Sequence, residues 1–148
     1  MKAVLADTGA LVALLDRRER FHGWAVDQAR TLQPPLLICE AVLAELCFLV
    51  ADLPRGAAAI RENLSNKAWR LEFSLETELE RVFGLMDTYA DQPMALADAC
   101  LVRMAEQHAG ASVFTLDAHF RVYRKNRRQV IPLIIPPGAV ESGSGQAR

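Results

Sequence analysis

The chain has 148 residues, 51% of them apolar and 24% charged, with a formal net charge of −1. That suits a single soluble domain with a core large enough to stand without disulfide or metal staples. It argues against a protein that coats nucleic acid through a global basic field, while leaving room for an enzyme with a small charged groove.

Taken in order, "KAVLA" (2–6) is a short aliphatic run that predicts a buried strand. After Asp7 the pattern changes. "GALVALL" reads as a short helix to about Leu15, followed by the charged turn "DRRER" and a second helix through "WAVDQARTL". "PLLIC" (35–39) is the next strand, and "EAVLAELCFLVADL" a nearly all-apolar helix stopped by Pro54. Residues 56–66 predict a polar helix and "WRLEF" (69–73) an alternating strand. "SLETELERVFGLMDTYA" then opens on an approximate capping box at Ser74 and continues as an amphipathic helix. "PMALADACLVRMAEQHAG" starts at Pro93 and stops at Gly110. "SVFTL" (112–116) is a strand, "DAHFRVYR" a helical or turn segment, and "VIPLII" (130–135) a last strand that Pro132 sends to a sheet edge. Strands alternating with helices predict a parallel sheet covered on both faces. The domain is expected over residues 1–137, with the small, polar segment 138–148 as a disordered tail.

Three cysteines, Cys39, Cys47 and Cys100, form no CxxC pair and no cluster with histidine. Reduced, buried thiols in a cytoplasmic protein are expected rather than structural zinc. The run ahead of Asp7 is too short for a signal peptide, and no apolar stretch approaches a membrane span.

Asp7-Thr8-Gly9 is the tripeptide of aspartic proteases, but here it leads straight into helix in a glycine-poor chain of βα order, so that likeness ends at three letters. Asp7 and Asp117 follow strands at the end where parallel α/β sheets bind ligands. Glu45 in "AVLAELCFLV" and Asp98 in "MALADACLV" interrupt apolar helices, where an unpartnered carboxylate is costly. Each has a plainer account. Asp7 and Asp117 are good helix N-caps, Glu45 could face solvent, and Asp98 could pair with Arg103; its distance from Pro93 places it too deep for a cap. Four such acids together favour one shared site. Converging carboxylates repel unless cations lie between them, and an all-oxygen set selects Mg²⁺ or Mn²⁺. Such ions serve phosphodiester hydrolysis.

The stretches "VLADTGALVALL", "EAVLAEL", "YADQPMALADACLVRMAE" and "VFTLDAHFRVYR" together resemble the PIN domain, and within it the VapC-like toxins. The resemblance implies an α/β fold, a three-layer α/β/α sandwich with a central parallel sheet. It implies a Mg²⁺- or Mn²⁺-dependent endoribonuclease with Asp7, Glu45, Asp98 and Asp117 as its four acidic catalytic and metal positions. Asp7 and Asp98 are expected as the main ligands, with Glu45 and Asp117 completing the site and positioning water. Thr8 and Thr115 flank two of the acids and are candidates to hold a carboxylate or water. Many PIN domains carry a further acid where this chain reads "DAHF"; His119 there is expected to be structural. The resemblance also implies an RNA substrate, a VapB-like antitoxin partner and a homodimer. The apolar helices "LVALL" and "VLAELCFLV" offer surface for that dimer, unless the core uses all of it. "RVYRKNRR" (121–128) and "DRRER" (16–20) are candidate RNA-backbone contacts, or solvated loops. Two other functions compete: a catalytically silent PIN module that binds RNA or protein, and a phosphohydrolase with Asp7 as nucleophile. The second lacks an acid two residues on, where Gly9 stands.

Overall fold

The structure is a computed structural model and describes residues 2–141. In chain order its elements begin with β1 (Val4–Ala6), α1 (Thr8–Leu15), α2 (His22–Thr31), β2 (Leu36–Ile38) and α3 (Glu40–Leu49). There follow α4 (Gly56–Ser65), β3 (Trp69–Leu71), α5 (Leu79–Thr88), α6 (Leu96–Gln107) and β4 (Ser112–Phe114). A 3-10 turn (Ala118–Arg121) leads to β5 (Arg124–Lys125), β6 (Gln129–Val130) and β7 (Leu133–Ile134).

Five strands form one parallel sheet in the order β3-β2-β1-β4-β7. This is the three-layer α/β architecture expected from the alternation. Strand order steps outward from β1 to β3 and then jumps back across β1 to β4. Right-handed crossovers therefore set α1–α4 against one face and α5 and α6 against the other. The jump makes a switch point between the carboxyl ends of β1 and β4, where such sheets bind ligands. Leu5, Ile38 and Phe114 are sealed between the layers, as aliphatic runs in a doubly covered sheet should be.

Three local expectations change. Ser74 does not cap α5: its hydroxyl pairs with that of Thr77 and accepts the Thr77 N–H, closing a separate turn. The helix begins only at Leu79, just before Val82 and Leu85 enter the core. The helix after Pro93 likewise starts late, at Leu96, because Ala95 is still extended. Its far end comes early too: the helix closes at Gln107, where His108 turns extended and gives its N–H to the Met104 carbonyl, and Gly110, in the left-handed region at φ +76° that only glycine enters freely, belongs to the turn that follows. The run 130–135 is divided. Val130 belongs to an antiparallel hairpin with β5, and Leu133–Ile134 alone joins the sheet edge. Pro132 precedes it and lends its carbonyl to the Val113 N–H at 2.9 Å.

The two apolar helices differ. Residues Thr8–Ala13 of α1 are all buried, so "LVALL" serves the core. In α3 only Val42 and Leu46 are buried, while Ala44, Cys47 and Phe48 face outward, Phe48 at 81% exposure. Cys47 is thus exposed, unlike Cys39 and Cys100. Of the tail expected to be disordered, 138–141 is described, and the Val140 carbonyl accepts the Ala118 N–H at 3.2 Å. The remainder, 142–148, lies outside the described residues.

Candidate active site

The register of β1 on β4 builds the site. Ala6 lies opposite Phe114, and the next N–H, that of Asp7, donates to the Phe114 carbonyl at 2.9 Å. One residue further, Asp7 and Thr115 stand side by side at the switch point. The Thr115 hydroxyl donates to Asp7 Oδ2 at 2.8 Å and accepts the Asp117 N–H at 2.9 Å. Asp7 Oδ1 accepts the Thr8 N–H at 2.8 Å, capping α1. Capping and membership of the acidic group are therefore not alternatives for Asp7. Thr8, itself buried, donates its hydroxyl to Glu45 Oε1 at 2.6 Å. Two threonine hydroxyls thus fix carboxylates brought from β1 and α3.

Glu45 does not sit on a buried apolar face. It lies on the exposed side of α3, and only the Thr8 bond turns it toward the others. Asp117 caps the 3-10 turn: its Oδ1 accepts the His119 N–H at 2.9 Å and lies 3.1 Å from His119 Nδ1. His119 is buried, and its other ring nitrogen is 3.4 Å from Glu141. That is the structural role expected of it.

Asp98 corrects one expectation outright. Because α6 starts at Leu96, Asp98 is its third residue, and its carboxylate accepts the Ala95 N–H at 2.9 Å. It does cap the helix. Arg103 is not its partner; that guanidinium binds Glu78 at 2.6 Å and Glu106 at 3.2 Å. Burial pushes the Asp98 carboxyl up most, the neighbouring charge of Asp7 next, with Asp117 and Glu45 adding to it. Against the opposing Ala95 N–H, these carry its pKa to about 8. The charges of all three other expected acids thus act on the Asp98 carboxyl.

Among the described residues, no three Asp, Glu, His or Cys side chains close into a ready metal cage. Magnesium-type ions are held by one or two carboxylates and several waters, so a closed cage is not what they need. The oxygen-only donors at the switch point, and an Asp98 that resists ionising beside its neighbours, fit a hard divalent cation. Asp7, Asp98, Glu45 and Asp117 are the residues that could hold one.

One buried group was not foreseen, and the two thiols expected to be buried are found paired. Tyr123 is sealed in the core, and its hydroxyl has no hydrogen-bond partner among the described residues. In sequence it is hidden inside a basic run, "RVYRKNRR". Cys100 hydrogen-bonds Cys39, which holds the Cys39 thiol below the usual range and, with burial, raises that of Cys100.

The basic clusters lie further out than their positions in sequence suggest. Arg124 spends its guanidinium on the carbonyls of Arg121, Val122 and Tyr123. The hairpin tip is tied to the far end of α6, where Glu106 accepts the Asn126 N–H at 2.6 Å, is gripped by both arms of Arg81, and binds Arg103. Glu106 is eight residues past Asp98, about 12 Å along the helix at the usual rise. Burial would raise the Glu106 carboxyl, but Arg81, the Asn126 N–H and Arg103 together hold it below the usual range. Arg127 and Arg128 remain exposed on this hairpin. "DRRER" follows the end of α1, about 13 Å along that helix from Asp7, and Arg18 there is engaged by Asp16.

Residues 4–126 match the family model of the PIN domain. Ribonuclease VapC26 of Mycobacterium tuberculosis is 32% identical over 136 residues, spanning 87% of this chain and 100% of that protein. The crystal structure of Mycobacterium tuberculosis VapC20, described as a sarcin-ricin loop cleaving toxin, superposes with a TM-score of 0.67 at 18% identity. That match covers 75% of this chain and 87% of the other. FitAcB from Neisseria gonorrhoeae gives a TM-score of 0.51, again at 18% identity, over 77% of this chain and 87% of its own. At that identity the two structures speak for the fold alone.

Proposed function

The chain belongs to the PIN domain family, and on that premise we propose that it is a Mg²⁺- or Mn²⁺-dependent endoribonuclease, the toxin of a VapBC-type toxin–antitoxin pair. The observation that carries this reading is the convergence of acids at the switch point, where Thr115 joins Asp7 to the Asp117 backbone and Thr8 turns Glu45 inward, with the Asp98 carboxyl raised by their charges. A structural carboxylate is placed to avoid such company. A ligand set for a cation is placed in it.

Asp7 and Asp98 are the proposed principal ligands. Asp7 is held by donors on both oxygens, from Thr8 and Thr115, and Asp98 is anchored on the first turn of α6. Glu45, steered by Thr8, and Asp117, beside Thr115, complete the set and accept protons from an attacking water. Mg²⁺ or Mn²⁺ held by these carboxylates would supply positive charge for the phosphate and make water more acidic for in-line attack. The water oxygen bonds to phosphorus as the bond from phosphorus to the ribose oxygen breaks, and that oxygen leaves with a proton taken from solvent water.

For the RNA backbone, Arg127 and Arg128 are the exposed cations of the hairpin that Glu106 secures. They offer phosphate contacts without base readout. A VapB-like antitoxin is the proposed protein partner, acting over the acidic groove. The outward face of α3, with Ala44, Cys47 and Phe48, is the proposed seat of a homodimer. No helix among the described residues is long and apolar enough to cross a membrane. The three free thiols fit a reducing compartment, the cytoplasm.

The test is incubation of the purified protein, freed of any copurifying partner, with total RNA in Mg²⁺, Mn²⁺ or EDTA. Asp98→Asn protein is the control for contaminating nuclease. Discrete metal-dependent fragments that vanish with the variant are expected. Fragments that persist in EDTA or with Asp98→Asn would overturn the assignment.

A further inference from the structure

Tyr123 has no exposed surface, and its hydroxyl meets no hydrogen-bond partner among the described residues. A buried hydroxyl left unpaired is costly and rare enough to require an explanation. The ring cannot swing away to find one. Tyr89 and Phe120 pack edge-on against it at 5.2 and 5.3 Å, and His119 stacks at 6.4 Å. The phenol lies next to the acidic site: its ring stacks on His119, whose Nδ1 is 3.1 Å from Asp117, and the charges of Asp98, Asp117 and Asp7 all act on it. A phenol O–H is a donor, and the cluster it adjoins is made of acceptors.

We propose, on the metal-dependent reading above, that Tyr123 is a positioning residue whose hydroxyl donates to the Asp98 carboxylate in the metal-loaded site. Ligating carboxylates are commonly held by such an outer hydrogen bond, which fixes their orientation toward the ion. The metal-free protein then keeps an unpaired donor that cation binding satisfies. Removing it has opposite effects on the two states. A side chain that only fills the core would not behave in this way.

The experiment compares wild type, Tyr123→Phe and Tyr89→Phe. Tyr89 is the control because its hydroxyl has an ordinary structural bond, accepting the Arg124 N–H at 2.9 Å. Calorimetric titration with MnCl₂ should show binding weakened about tenfold in Tyr123→Phe, the lower end for loss of an outer hydrogen bond. The thermal midpoint of that variant in EDTA should hold or rise. Tyr89→Phe should lower the midpoint and leave Mn²⁺ affinity unchanged. The chain has only two tyrosines, so both Cζ carbons can be labelled and followed by NMR while MgCl₂ is added. The Tyr123 signal should move and the Tyr89 signal should not. Equal Mn²⁺ affinity in wild type and Tyr123→Phe, with a stationary Tyr123 signal, overturns the inference and leaves the metal reading standing. A metal-free Tyr123→Phe as destabilised as Tyr89→Phe overturns it too, because the hydroxyl would already have a partner. Failure of wild type to bind Mn²⁺ removes the metal reading and the inference together.

Discussion

Asp98→Asn separates catalysis from stability most sharply. The Asp98 carboxyl is displaced from its ordinary 3.8 to about 8 by burial and by Asp7, Asp117 and Glu45. Near pH 7 the unfolded chain carries this group ionised, whereas the metal-free fold holds it protonated. Folding must take up that proton. At 1.36 kcal/mol per pKa unit the penalty at pH 7 comes to about 4 kcal/mol, and solvent reaching this half-buried group reduces it to about 2–3 kcal/mol. Because the folded pKa is the higher one, the penalty is absent below pH 3.8, grows as pH rises toward 8, and levels off above that. Asparagine keeps an oxygen for the Ala95 N–H and has no charge to lose. Urea unfolding in EDTA should therefore find the variant about 2–3 kcal/mol more stable than wild type at pH 7 to 8, with the gap narrowing below about 1 kcal/mol by pH 4.5. Added Mg²⁺ should stabilise wild type, increasingly with pH, and scarcely affect the variant. A gap independent of pH, or a variant less stable at pH 8, would refute the electrostatic account of this site.

Thr115→Val removes the donor to Asp7 and the acceptor for the Asp117 N–H. It should cost about 1–3 kcal/mol of stability and lower kcat at least tenfold with little change in KM; an unchanged kcat would sink the positioning role. Arg127→Ala with Arg128→Ala should leave kcat alone and weaken RNA binding, reducing the salt slope of log Kd by about 0.7 per lost phosphate contact. Identical slopes would mean that the hairpin does not touch RNA. Phe48→Asp places a charge on the exposed face of α3. Sedimentation should find a dimer in wild type and a monomer in the variant, and two identical profiles would put the interface elsewhere.

Much of the sheet was legible because its strands are short aliphatic runs followed at once by helical patterns. Asp7 after "KAVLA" and Asp117 after "SVFTL" needed only that change of period to be placed at strand ends. The errors came where local chemistry had two outlets. Ser74 and Thr77 look like the start of a helix, yet their hydroxyls bond each other and close a turn. Pro93 looks like a first helical residue, yet Ala95 stays extended and Asp98 is left to satisfy its N–H. The β5–β6 hairpin gave no alternating pattern at all. It is held from outside, by Glu106 on a helix twenty residues earlier, and no window of sequence contains both ends of that bond.

The four candidate acids were legible as a list, but the means of holding them was not. What joins them is the pairing of Ala6 with Phe114, a contact across more than a hundred residues. Once that register is set, Thr115 falls beside Asp7 and Asp117 falls within reach of Thr115, with no further freedom. A slip of one residue would turn both side chains to the opposite face of the sheet. The tripeptide that resembles a protease motif is therefore used differently here: the aspartate caps a helix and faces a threonine from a neighbouring strand, and its own threonine reaches a glutamate on α3. The same logic explains why Tyr123 escaped notice. Nothing in "RVYR" distinguishes a tyrosine on the surface from one whose hydroxyl is sealed in the core, until the 3-10 turn after Asp117 rotates it inward. The polar side chains that organise this site are chosen by register and by turn geometry, and the acids alone advertise themselves by the cost of where they stand.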